Sequence, residues 1–142
     1  MDNDKLILDN QLCFAIYAGT RQMTKLYNPY LDVLGITYTQ YISLLVLWEK
    51  DNITVKKLGD KLYLDSGTLT PLLKKLEALG FIKRTRDNVD KRTVLISLTE
   101  NGKLLKEKAY DIPSKVFEHT RLSLEDAISL RDDLKRMLNN ID

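Results

Sequence analysis

Between Thr54 and Leu98 the apolar spacing changes from helical to alternating, and this change limits the folds open to the chain more than any other feature. Thr54 can cap a short helix to about Leu62, with Val55, Leu58 and Leu62 on one face. After a break at Tyr63 and Leu64, Asp65 or Ser66 can cap a second helix, SGTLTPLLKKLEALG, whose Leu69, Leu72, Leu73, Leu76 and Leu79 form an inward stripe. Gly80 supplies the left-handed stop. FIKRTR and RTVLISL then flank the polar stretch DNVDK, and Val94, Ile96 and Leu98 alternate with Thr93, Leu95 and Ser97, as in a β-hairpin. Two short helices, the second amphipathic, make a helix-turn-helix; the hairpin after them makes a winged helix. Pro71 leaves two starts open. If the second helix opens at Ser66, Pro71 forfeits a backbone bond; if Thr70 is the cap, Pro71 occupies the first helical position.

Charge follows the same boundary. From Thr54 to Arg92 there are ten Lys/Arg against five Asp/Glu, a net of +5, so the rest of the +2 chain carries −3. A basic middle between acidic ends fits a nucleic-acid-reading unit on an assembly scaffold, although an ordinary solvated face also accounts for charge alone. The outward residues of the second helix are Ser66, Thr68, Thr70, Lys74 and Lys75. The hairpin arms carry Lys83, Arg84, Arg86, Lys91 and Arg92, suited to a phosphate backbone or a minor groove.

Around this unit the sequence predicts helices. One runs from about Asn10 through Leu12, Ile16, Met23, Leu26 and Tyr27, and Asn28-Pro29 should end or kink it. Thr37 and Gln40 read as a capping box, with Ile36 and Tyr41 as its hydrophobic staple, opening a helix to about Lys50. That helix is apolar nearly all round, so it should be the buried axis with Trp48 in the core. Thr99 caps a further helix, interrupted or kinked at Pro113, and Ser123 caps the last, where Leu124, Ile128, Leu134 and Leu138 recur at helical spacing. Apolar stripes on the first and last helices call for a twofold mate. The predicted class is mainly α with a small β-hairpin wing (α+β), a dimeric winged helix-turn-helix. It forms one domain over 1–142, with the DNA-binding winged helix at about 37–98 and dimerisation helices at about 5–34 and 99–142.

Other classes find little support. The acidic N-terminus lacks a leader pattern, and the longest apolar run, Leu44 to Trp48, is far below the ~20 residues of a membrane span, so a cytoplasmic protein without membrane contact is expected. The one histidine, His119, has no Cys/His cluster around it, and Gly59, Gly67, Gly80 and Gly102 make no phosphate-cradling loop. No cofactor, metal or enzymatic activity is predicted. The one cysteine, Cys13, can form no intrachain disulfide. With a cap at Asp9 or Asn10 it lies in the first turn of its helix, where unpaired N–H groups favour a thiolate; the competing reading is a small buried hydrophobe.

Three strings, LCFAIYAGTRQMTKLYNPYLDVLGITYTQY, LYLDSGTLTPLLKKLEALG and RTRDNVDKRTVLISLTENG, resemble the multiple-antibiotic-resistance regulator (MarR) family, and within it the organic-hydroperoxide-resistance (OhrR) group, over almost the whole chain. The resemblance implies a homodimeric repressor of a pseudo-palindromic double-stranded DNA operator, released when organic hydroperoxide oxidises an N-terminal cysteine. The matching sensor is Cys13, supported by Tyr27 and Tyr38 with Tyr17 nearby, and the wing's Asp-x-Arg element matches Asp90 and Arg92. Some relatives carry a second cysteine, which this chain lacks, so oxidised Cys13 would need a low-molecular-weight thiol or another fate. Tyr30, Tyr41, Tyr63 and Tyr110 receive no role. On one straight helix Cys13 and Tyr27 would stand ~21 Å apart, so a shared site needs the partner's tyrosines. Alternatives are a MarR-type regulator answering to a bound aromatic ligand and a thiol peroxidase using Cys13.

Overall fold

The computed structural model describes residues 3–141. Two 3-10 turns, Asn3–Leu6 and Leu8–Asn10, lead into α1, Leu12–Leu34. Neither Asp9 nor Asn10 caps this helix. Its cap residue is Gln11, without a capping side-chain bond, because Gln11 Nε2 is committed to the carbonyls of Lys5 and Ile7 and Asn10 Nδ2 to that of Asp4.

Of the end or kink expected at Asn28-Pro29, the end is absent: α1 continues through Pro29 and stops at Gly35, whose left-handed φ of 73° suits glycine. Proline costs the helix one hydrogen bond, but Leu31 beyond it is buried in the core, Tyr30 and Leu34 pack against that core, and α1 lies on the later helix Ile112–Thr120. That packing outweighs the missing bond.

The second helix, α2 (Tyr38–Glu49), opens with the predicted capping box: Gln40 N–H donates to Thr37 Oγ1, and Thr37 N–H donates to Gln40 Oε1 at 2.9 Å. Ile36 and Tyr41 are both buried. Tyr41, Leu44 and Leu47 make α2 the axis on which α1 and the helices Val55–Leu62, Ser66–Ala78 and Glu100–Ala109 pack. It is not buried all round, since Leu45 is exposed and Trp48 is half-buried, its Nε1 donating to the Gly102 carbonyl at 2.9 Å.

Helix α3 (Val55–Leu62) is capped by Thr54 and α4 (Ser66–Ala78) by Asp65, whose carboxylate accepts the Thr68 N–H at 2.8 Å. The turn between them is tight. A Cβ on Gly59 would stand 2.7 Å from the Leu64 carbonyl oxygen, so only glycine fits that crossing. Of the two starts left open by Pro71, the structure adopts the first: α4 opens at Ser66 with Pro71 inside it. Leu69, Leu72, Leu73 and Leu76 are buried, each contributing about 1.5–3 kcal/mol by leaving water. Leu79 drops out of the stripe because the helix has ended, and Gly80 follows in the left-handed region.

The hairpin pairs β2 (Ile82–Arg86) with β3 (Val94–Leu98) in the register Arg84↔Ile96. A two-residue strand, β1 (Ile53–Thr54), adds to the other edge of β3, giving the order β1-β3-β2. Thr99 caps α5 (Glu100–Ala109), and α6 (Ile112–Thr120) holds Pro113 in its first turn, so the chain breaks at Tyr110 and Asp111 and not at the proline. Ser123 caps α7 (Leu124–Asn140), which buries no residue and leaves Leu124, Ile128, Leu130 and Leu138 exposed. No single helix among the described residues is long and apolar enough to cross a membrane; α1 and α2 together reach that length and composition only across a 75° bend.

Candidate nucleic-acid interface and thiol site

Because four leucines of α4 face the core, Ser66, Thr68, Thr70, Lys74 and Lys75 are all exposed on its other side. Asp65 stays charged below the usual carboxylate range, held there first by the Thr68 backbone N–H and then by its side chain. Between α3, α4 and the wing lies a cleft of about 710 Å³ whose walls include Thr54, Lys56, Ser66, Thr70, Arg84 and Arg92.

The wing is shaped by its own polar groups. Asp90 Oδ1 accepts the Arg92 N–H at 3.0 Å and Oδ2 accepts the Thr93 hydroxyl at 3.3 Å, so Asp90 sets the turn that presents Arg92. Arg86 Nη1 donates to the Lys91 carbonyl at 2.8 Å. Lys74, Lys75, Arg86 and Arg92 are exposed and enter no ion pair among the described residues. Arg84 is different. It is half-buried and bound to Glu77 of α4, 3.0 Å from Nη2 to Oε1, and its hydrogen bonds hold the Glu77 carboxyl below its ordinary value, the side chain's first and the backbone N–H's next.

Cys13 is the second residue of α1, exposed, in the turn whose backbone N–H groups have no helical acceptor. Within one chain it is therefore not buried. Tyr17 lies one turn on, also exposed, its hydroxyl accepting from Arg21 Nη1 at 2.8 Å. Tyr27 and Tyr38 come together at 5.1 Å between ring centroids, and Tyr41 joins them at 5.5 and 6.2 Å. Burial pushes all three phenols up, Tyr41 to about 12, so each keeps its proton at neutral pH as a hydrogen-bond donor. Since α1 is continuous from Cys13 to Tyr27, one chain does not unite the thiol with this trio: fourteen residues at ~1.5 Å each separate them by roughly 21 Å.

The comparisons with known proteins agree with this architecture. Residues 25–109 match the profile of the SarA/Rot transcriptional regulators. The chain is 54% identical over 138 residues to the organic hydroperoxide resistance transcriptional regulator of Bacillus subtilis (strain 168), covering 97% of this chain and 94% of that protein. Among solved structures it resembles reduced AbfR bound to DNA, a Staphylococcus epidermidis protein, with 37% identity, a TM-score of 0.81 and coverage of 98% and 97%. A mutant of Escherichia coli MarR in complex with operator DNA follows at 28% identity, a TM-score of 0.77 and coverage of 89% and 93%. The chain belongs to the MarR family.

It is a winged-helix transcriptional regulator of that family's organic-hydroperoxide-resistance group, not an enzyme. Two residues of this MarR chain went unmarked in the sequence. Tyr41 reads there as a staple residue, and only its three-residue offset from Tyr38 hints at a shared face. Glu77 carries no signal of its own there, seven residues before the arginine it binds across the helix-to-strand turn.

Proposed function

We propose that this MarR regulator is a homodimeric repressor that holds a pseudo-palindromic operator through α4 and the wing and lets go when an organic hydroperoxide oxidises Cys13. The observation that carries the reading is the placement of the chain's only thiol, exposed in the first turn of α1. The reacting form of a cysteine is its thiolate, which an exposed position leaves open to the peroxide. Its sulfur attacks one peroxide oxygen, the O–O bond breaks, and the departing alkoxide takes a proton to leave as an alcohol. Cys13 becomes a sulfenic acid, which a low-molecular-weight thiol converts to a mixed disulfide with loss of water.

In this reading residues 37–98 are the DNA-binding winged helix, while 5–34 and 99–142 are the dimerisation helices. Ser66, Thr68, Thr70, Lys74 and Lys75 face the major groove, with Arg86, Asp90 and Arg92 on the wing. The exposed apolar stripe of α7 supports a partner helix there. A regulator of chromosomal DNA works in the cytoplasm. The test is Cys13→Ser, which should bind operator as the wild type does yet remain bound after a single addition of cumene hydroperoxide that releases the wild type. If the variant lets go equally well, Cys13 is not the sensor and release by an aromatic ligand takes its place.

A further inference from the structure

We propose that Glu77 and Arg84 form a strut that fixes the wing against the reading helix, so that an acidic residue on α4 is needed for tight DNA binding and Arg84 acts by positioning. The inference rests on the DNA-binding reading above. Glu77 is out of place by two simple criteria. It sits in the last turn of α4, where the helix dipole disfavours a carboxylate, and in a unit meant to meet a polyanion.

Its surroundings explain it. The Arg84 N–H donates to Oε2 at 2.9 Å, and Nε and Nη2 donate to Oε1 at 3.3 and 3.0 Å. Arg84 stands opposite buried Ile96 in the hairpin, so its side chain leaves the face of the sheet that turns toward the core. β2 is also a sheet edge, and the carboxylate takes an N–H that an edge strand would otherwise leave open. Three bonds thus join the end of α4 to the middle of β2, and the hairpin cannot swing without breaking them. Arg84 lies in the wall of the cleft that has Ser66 and Thr70 on one side and Arg92 on the other, so the strut sets the distance between the two DNA-facing surfaces.

The two roles open to Arg84 give opposite signs. If Arg84 grips phosphate, Glu77 competes with DNA, and removing the acid strengthens binding. If the pair is a strut, removing the acid weakens binding. The experiment titrates reduced full-length protein, at several salt concentrations, against a fluorescein-labelled duplex that the wild type has selected from a random-sequence pool. Glu77→Gln and Arg84→Lys should each lower affinity about tenfold, the double variant no further than either single one, with the wild-type salt slope retained. Arg84→Lys keeps the charge but lacks the paired Nε and Nη2 donors that converge on Oε1, so it separates the strut from a simple phosphate contact. Without DNA, hydrogen exchange at the Arg84 amide should quicken in Glu77→Gln. Unchanged or tighter binding by Glu77→Gln, or a salt slope shallower by about one per subunit in Arg84→Ala, would overturn the strut. Unchanged amide exchange would do so independently of any duplex. A wild type that selects no duplex would instead refute the DNA-binding reading, and with it the role assigned to Glu77.

Discussion

A phenol taken out of water keeps its proton to higher pH, because burial disfavours the charged form. Tyr41 is 2% exposed beside Tyr27 and Tyr38, and its value rises from 10.0 to about 12. The folded chain therefore holds a proton that the unfolded chain loses. Stability from this source is complete below pH 10 and falls as pH climbs toward 12. Urea titrations across that range should show a decline that Tyr41→Phe reduces; an equal decline in the variant would place the titrating group elsewhere. At this scale the sequence offered candidate residues but not their neighbours. Lys74 and Arg92 are exposed, as their positions suggested, and Cys13, whose position left burial open, is exposed as well, whereas the Arg84 guanidinium is taken by an acid that no spacing rule pairs with it.

Local signals fixed the helices well where side chain and backbone meet within a few residues. Thr37, Thr54, Asp65, Thr99 and Ser123 all cap the helices expected of them, since a cap needs only its own N–H targets three residues on. A proline did not end its helix where distant packing opposed the break, as at Pro29, where the core holds the next turn in place. β1 escaped notice because two residues carry no period and its partner lies more than forty positions away. Pro71 offers a test at this scale. It sits inside α4 and cannot donate to the Gly67 carbonyl, so Pro71→Ala should stabilise the protein by about 1–2 kcal/mol, the gain in helix less the freedom returned to the unfolded chain. Urea denaturation measures it, and a destabilised variant would mean that the ring packs against something the helix needs.

For the whole molecule, the unbroken α1 decides how a sensor can be assembled. If Cys13 and the tyrosine trio serve one site, the site spans two subunits, each thiol meeting its partner's Tyr27 and Tyr38. A mixed dimer of a Cys13→Ser chain and a Tyr27→Phe, Tyr38→Phe chain then retains one complete site, and its remaining thiol should oxidise at the wild-type rate. Oxidation as slow as in the doubly Phe-substituted homodimer would assign the tyrosines to their own chain. The joint between α2, α5 and the wing has another use. Trp48, the chain's sole tryptophan, holds the Gly102 carbonyl, and Gly102 in turn sits so close to the Phe81 carbonyl that a Cβ there would collide with it. Every tryptophan photon the protein emits therefore comes from the seam between α2 and α5, a built-in optical gauge of that seam that requires no attached dye.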